Sequence, residues 1–141
     1  LHRRHAIDWG MLQALRDDPC VEIGAHTVSH RRIAALPEDQ AWQEIAGSRD
    51  RLRQQLGLPV RHFAFPFGRS GDCGPRDFAL VRDAGFASAS TTRKGLMPAL
   101  AGQPPFVLPR NTVNGAHRRI AQVTFQLAGL SGLATRLAGG G

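Results

Sequence analysis

His26-Thr27-Val28-Ser29-His30 places two imidazoles four residues apart, directly after the run Val21-Glu22-Ile23-Gly24-Ala25. Neutral imidazole is a common ligand for a divalent metal such as zinc, and two at this spacing can converge on one ion. The spacing by itself is cheap, because a chain with six histidines contains such a pair by chance about a quarter of the time. The competing reading is a pair of surface or capped histidines. Position favours the ligand reading, since catalytic groups of α/β enzymes gather at the carboxyl ends of strands. The second candidate is Arg61-His62-Phe63-Ala64-Phe65-Pro66-Phe67-Gly68. Read plainly, it is a buried aromatic strand closed by a Pro-Gly turn. Read chemically, the turn aims backbone N–H groups into a cleft, as oxyanion stabilisation requires. Residue types leave both readings open.

These segments need a scaffold, and the pattern around them alternates. Residues 7–15 read as a short amphipathic helix with Asp8 as its N-cap, and residues 21–25 as a strand leading into His26. Residues 37–56 form the best helical pattern. Pro37 sits at its start, Glu38 and Asp39 follow, Arg51 and Arg53 come near its end, and Gly57 lies beyond. Its apolar positions are Ala41, Trp42, Ile45, Leu52 and Leu56. Residues 60–65 read as a strand, 75–84 as a helix closed by Gly85, and 86–90 and 106–108 as two further strands. Residues 117–137 read as a terminal helix ahead of a Gly-rich end. Strand and helix alternating in this way predict a parallel α/β fold.

Composition narrows the classes. The chain has 141 residues, 42% of them hydrophobic, which is one ordinary domain with enough apolar material for a core. No apolar run is long enough for a membrane helix. Two cysteines, Cys20 and Cys73, cannot form a disulfide scaffold or a cysteine-based zinc site. The net charge of +7 raises the question of a nucleic-acid partner. Its distribution answers against one: the basic residues are dispersed, 17 are arginine and one is lysine, and there is no tyrosine. No basic stripe interleaved with aromatics is available for stacking bases. The N-terminus does not reveal the compartment.

Taken together, Val21-Glu22-Ile23-Gly24-Ala25-His26-Thr27-Val28-Ser29-His30, residues 44–56, Phe63-Ala64-Phe65-Pro66-Phe67-Gly68 and Asp83-Ala84-Gly85-Phe86 resemble the polysaccharide deacetylase (NodB-homology) family. Four blocks in order are far more specific than either motif alone. The resemblance implies a metal-dependent hydrolase that removes N-acetyl groups from an amino-sugar polysaccharide. It implies a divalent cofactor, zinc by expectation, held by His26 and His30, and an N-acetylated glycan as the partner. It also implies a substrate groove walled by Phe65, Pro66 and Phe67, with the Phe67 backbone N–H helping to hold the oxyanion. The implied fold is part of a distorted seven-stranded (β/α) barrel, later strands and helices only. Within it, residues 1–19 are a lead-in helical segment, 20–115 the partial core and 116–141 a C-terminal helix.

The departures from the family pattern matter equally. Its Asp-Asp motif, which provides a third metal ligand and the catalytic base, has no counterpart here. Asp17-Asp18 ends a helix directly before Pro19 and substitutes poorly. The expectation is that Leu1 starts downstream of that motif and that the chain alone binds metal weakly and is inactive. Ala64 stands where many members carry an arginine, and the late block with a general-acid histidine reads Leu108-Pro109-Arg110. Arg110 is the candidate to orient a carboxylate base, against the plainer reading of an exposed loop arginine. A non-catalytic carbohydrate-binding or degenerate barrel module is the alternative to the enzyme, ahead of a basic nucleic-acid-binding domain.

Overall fold

Asp8 accepts the Met11 N–H at 2.8 Å and starts α1 (Trp9–Leu15), as an N-cap aspartate should. The chain is seen in a computed structural model that describes residues 6–95, 105–111 and 119–128. No side chain of α1 is buried. Gln13 and Arg16 tie its end to the Gln55 and Leu56 carbonyls, each at 3.2 Å. After a 3-10 turn (Ile33–Ala35) comes α2 (Glu38–Leu56), with Glu38 and Asp39 in its positive first turn and Arg53 in its last. Gly57 closes it at φ +67°. Ala41, Ile45, Ala46, Ser48 and Leu56 form the buried face, whereas Trp42, placed on that face by spacing, is 40% exposed.

The sheet is parallel. β1 (His62–Ala64) and β2 (Ser88–Ser90) pair with Phe63 opposite Ala89. On the outer side of β1, Ala25 bridges to Phe63, and on the outer side of β2, Leu108 bridges to Ser90, both parallel. The strands expected over residues 21–25 and 106–108 therefore shrink to single bridges, and the two central strands to three residues each. Residues 21–24 meet no ladder partner among the described residues. Pro105 and Pro109 bracket the Leu108 bridge, and proline has no N–H to extend a ladder.

Side chains alternate across β1. Phe63 and Phe65 point to one face, where they meet each other at 5.0 Å and reach Phe86 and Phe78 at 5.2 and 5.5 Å between ring centroids. This aromatic cluster lies against α3 (Pro75–Asp83) and joins the core formed with α2. Gly85 follows α3 at φ +80°, as the predicted helix stop requires. Of the predicted terminal helix, the described part is α4 (Ile120–Leu127), whose Ile120 is 86% exposed. Residues 117–118 and 129–137 of that predicted helix lie outside the described residues. No helix among the described residues is long and apolar enough to cross a membrane.

Arg76 links these elements. Its guanidinium pairs with the buried Asp77 at 2.7 Å and donates to the Leu36 and Ile33 carbonyls at 2.9 and 3.0 Å. It thereby clamps the segment that follows His30 onto α3. Arg76→Ala should lower the unfolding free energy by about 1–2 kcal/mol, allowing for the partial exposure of the guanidinium. A urea midpoint unchanged from wild type would show that the clamp carries no stability.

Candidate functional site

Because the four sheet segments run parallel, the residues that follow each one leave at a single edge. His26 follows Ala25, residues 65–68 follow β1, Thr91 and Thr92 follow β2, and Pro109 and Arg110 follow Leu108. At this edge the two predicted ligands meet. The His26 and His30 rings stand edge to face with centroids 4.9 Å apart, and both residues are exposed. His26 Nδ1 lies 2.7 Å from the Ala64 carbonyl oxygen. A carbonyl only accepts, so Nδ1 carries a proton, and in the neutral ring Nε2 keeps its lone pair. That is how a metal-binding histidine is normally oriented.

The backbone around these rings is unusual. Thr27, His30 and Phe67 adopt φ of +66°, +59° and +62°, and they are the only non-glycine residues with positive φ among the described residues. Each such conformation costs about 1–2 kcal/mol for an L-residue. Local bonds offset that cost. Thr27 Oγ1 accepts the His30 N–H at 3.0 Å. Glu44, projecting from α2, accepts the Val28 and Ser29 N–H groups at 2.9 Å each and the Ser29 hydroxyl at 2.5 Å. Burial pushes the Glu44 carboxyl up. The three bonds from Ser29 and Val28, with the nearby Arg31 charge, outweigh burial and hold it below the ordinary glutamate range.

The second loop turns at Phe67. Gly68 N–H donates to the Pro66 carbonyl at 2.7 Å, making a three-residue turn of the strained hand centred on Phe67. Thr92 secures it: its hydroxyl donates to the Phe67 carbonyl, and its N–H donates to the Gly68 carbonyl at 3.0 Å. A Cβ at Gly68 would come within 2.7 Å of the Thr92 nitrogen, so only glycine fits between the turn and β2. The Phe67 N–H donates to no backbone acceptor among the described residues.

Two expectations for the groove wall need correcting. Phe65 is 1% exposed and Pro66 is fully buried, so neither presents its side chain at the edge where the histidines lie. The period of two along β1 sends Phe65 into the same core as Phe63. Phe67 is 51% exposed, and its ring packs on His30 at 5.2 Å. Arg110 is exposed at the same edge, beyond the Leu108 bridge, with its N–H on the Arg93 carbonyl at 3.0 Å.

Two imidazoles with this orientation fit two of the three protein ligands of a catalytic metal. Among the described residues no cluster of three His, Cys, Asp or Glu could complete the set. Cys73 adds nothing, because burial pushes its thiol up to about 11. Sequence reasoning gave no role to Glu44 or Thr92. A signal for Glu44 existed: it sits among the inward positions Ala41, Ile45 and Ser48 of α2, where an unpaired acid would be costly. Thr92 carried none, since its partner lies 25 residues away.

With this geometry in view, sequence comparison is decisive. Residues 2–87 match the family profile described as polysaccharide deacetylase. The chain belongs to the polysaccharide deacetylase family. Solved structures share the fold at low identity. IcaB from Ammonifex degensii is 22% identical with a TM-score of 0.68, over 84% of this chain and 53% of that one. A de-N-acetylase from Aggregatibacter actinomycetemcomitans gives 13% and 0.72, over 89% and 55%. The deacetylase PplD from Streptococcus pyogenes, in complex with acetate, gives 21% and 0.65, over 74% and 43%. The chain thus spans about half the length of these structures, and its α/β architecture is part of the deacetylase barrel fold. No curated protein sequence matches it significantly.

The Glu44 clamp yields a pH-dependent test. Its folded pKa lies below the ordinary value of 4.5, so its stabilisation is full above that value and lost as pH falls through the folded pKa. Glu44→Gln should lower Tm by a few degrees at neutral pH, because an amide cannot accept at both positions. The gap to wild type should close as pH falls below the ordinary glutamate range. A gap that is constant across pH in thermal denaturation would contradict the clamp.

Proposed function

We propose that this chain belongs to the working part of a metal-dependent deacetylase acting on N-acetylated amino-sugar polysaccharide, hydrolysing a non-peptide carbon–nitrogen bond. The observation that carries this reading is the imidazole pair at the sheet edge, with His26 Nε2 freed by the bond from Nδ1 to Ala64. Family membership supports it, as do structural neighbours described as a de-N-acetylase and as a deacetylase with acetate.

His26 and His30 would hold the ion. When bound, a divalent metal such as zinc supplies Lewis-acid polarisation of the acetyl carbonyl and makes water nucleophilic near neutral pH. The Ala64 carbonyl keeps His26 in the ligating tautomer, and Glu44 keeps the intervening loop in one shape. Beside the histidine pair, the Phe67 N–H would donate to the acetyl oxygen as negative charge develops there. Such a donor contributes about 3–4 kcal/mol to the transition state in related acyl-transfer sites. The turn that presents it is already formed, which removes the cost of ordering it during reaction.

All eleven acidic residues of the sequence lie among the described residues and none completes a three-ligand cluster with the histidine pair, so the third ligand and the base are assigned to carboxylates that these 141 residues do not supply. Arg110 emerges at the same edge and could hold such a base bidentately. It does not act as the acid, because a guanidinium keeps its proton.

His26→Ala and His30→Ala, made separately in the intact protein, should each remove bound metal and reduce acetate release by about a hundredfold or more. Metal content by mass spectrometry and acetate release together decide the matter. Wild-type metal content and rate in both variants would refute the assignment. Glycan binding without metal uptake or turnover in wild type would identify a carbohydrate-binding module instead.

A further inference from the structure

Arg32 lies two residues beyond His30, and its guanidinium carbon stands 5.9 Å from the centre of the Phe67 ring. That same ring packs against His30. Arg32 Nε is paired with Asp72 Oδ1 at 2.9 Å, yet the two side chains differ sharply in exposure, 58% against 9%. Asp72 is anchored independently. Its other oxygen accepts the Arg69 N–H at 3.0 Å, and its carbonyl accepts the Ala34 N–H at 3.2 Å. A buried, fixed carboxylate therefore holds an exposed guanidinium beside the aromatic ring that packs on His30.

A guanidinium carries five N–H donors in a planar fork, and the pair with Asp72 is made through Nε. The terminal nitrogens are thus left for a second acceptor while the plane stays oriented. Charge points the same way. Arg31 and Arg69 are exposed neighbours in sequence of Arg32 and of the Phe67 turn, and Asp72 is the acid paired with Arg32. Glu44 faces Arg31, so three guanidinium groups, of Arg31, Arg32 and Arg69, stand against two carboxylates, of Asp72 and Glu44, which leaves one positive charge in excess beside the place where the acetyl group would react.

We propose that Arg32 is a specificity-determining residue that reads an anionic group, carboxylate or phosphate, on a sugar adjacent to the one being deacetylated. This rests on the deacetylase reading above. The preferred glycan is then one that bears negative charge near its acetamido sugar. A pre-oriented fork gains most from an acceptor with two oxygens, which both anions offer.

The test uses the intact protein and three acetylated amino-sugar oligosaccharides of one length: neutral, carboxylate-bearing and phosphate-bearing. Binding by calorimetry and kcat/KM are measured for wild type, Arg32→Gln and Arg32→Lys. Wild type should favour at least one anionic oligosaccharide over the neutral one by about tenfold, and added salt should erode that preference. Arg32→Gln should bring the ratio near one, and Arg32→Lys should restore only part of it. Which anionic oligosaccharide is favoured identifies the group recognised. Equal wild-type handling of all three, or a ratio that survives Arg32→Gln, overturns the inference while leaving the deacetylase reading intact. The wild-type comparison decides even where a variant fails to fold. Failure of wild type to bind or deacetylate any of the three removes both.

Discussion

The row Ala25–Phe63–Ala89 is the constraint on which the rest of the structure depends. Three parallel segments meet at it in register, and all three residues are buried. Adjacent strands lie about 4.8 Å apart, so one large ring flanked by two methyl groups fills the row without crowding. Phe63 then reaches Phe65 and Phe86 on the core face. Parallel pairing has a second consequence. It sends the loops after Ala25, β1 and β2 to the same edge, which is why two histidines and an aromatic turn distant in sequence become neighbours.

Those loops are held in conformations that their residues do not prefer. Thr27, His30 and Phe67 all have positive φ, yet none is a glycine. Beside the bonds within each loop, support comes from outside them: Glu44 from α2 and Thr92 from the end of β2. A carboxylate accepting three hydrogen bonds can balance strain of this size, since bonds to a charged group contribute about 1.5–3 kcal/mol each. The result is an imidazole pair whose orientation exists before any ligand arrives. Preorganisation of this kind is what metal binding and oxyanion stabilisation both require.

The exposed residues beside the histidine pair are similarly supported from beneath. Asp72 is buried and fixed by backbone bonds, and Arg32 reaches from it over Phe67 toward solvent. On the other side Arg76, through Asp77, clamps the segment after His30 to α3. Two Arg–Asp pairs therefore bracket the chain between His30 and α2, one at the site and one behind it. Together they carry the core's rigidity to the exposed residues.

Much of this was legible from residue types alone. The Asp8 cap, the start of α2 at Pro37 and the stops at Gly57 and Gly85 are local features, decided by backbone groups within a few residues. The histidine pair and the Pro-Phe-Gly turn were legible as candidates, because metal ligation and tight turns restrict residue type. Strand length was not. Residues 21–25 have the composition of a strand, but a ladder needs partners, and among the described residues only Ala25 finds one. Nor could sequence decide which aromatic of Phe65 and Phe67 is exposed beside the histidines, since that depends on where β1 ends and the turn begins. The tautomer of His26, the hold of Glu44 on its loop and the place of Arg32 beside Phe67 were settled only by tertiary structure. Each depends on contacts between residues brought together by the parallel sheet, across separations of 15 to 38 positions for Glu44 and His26.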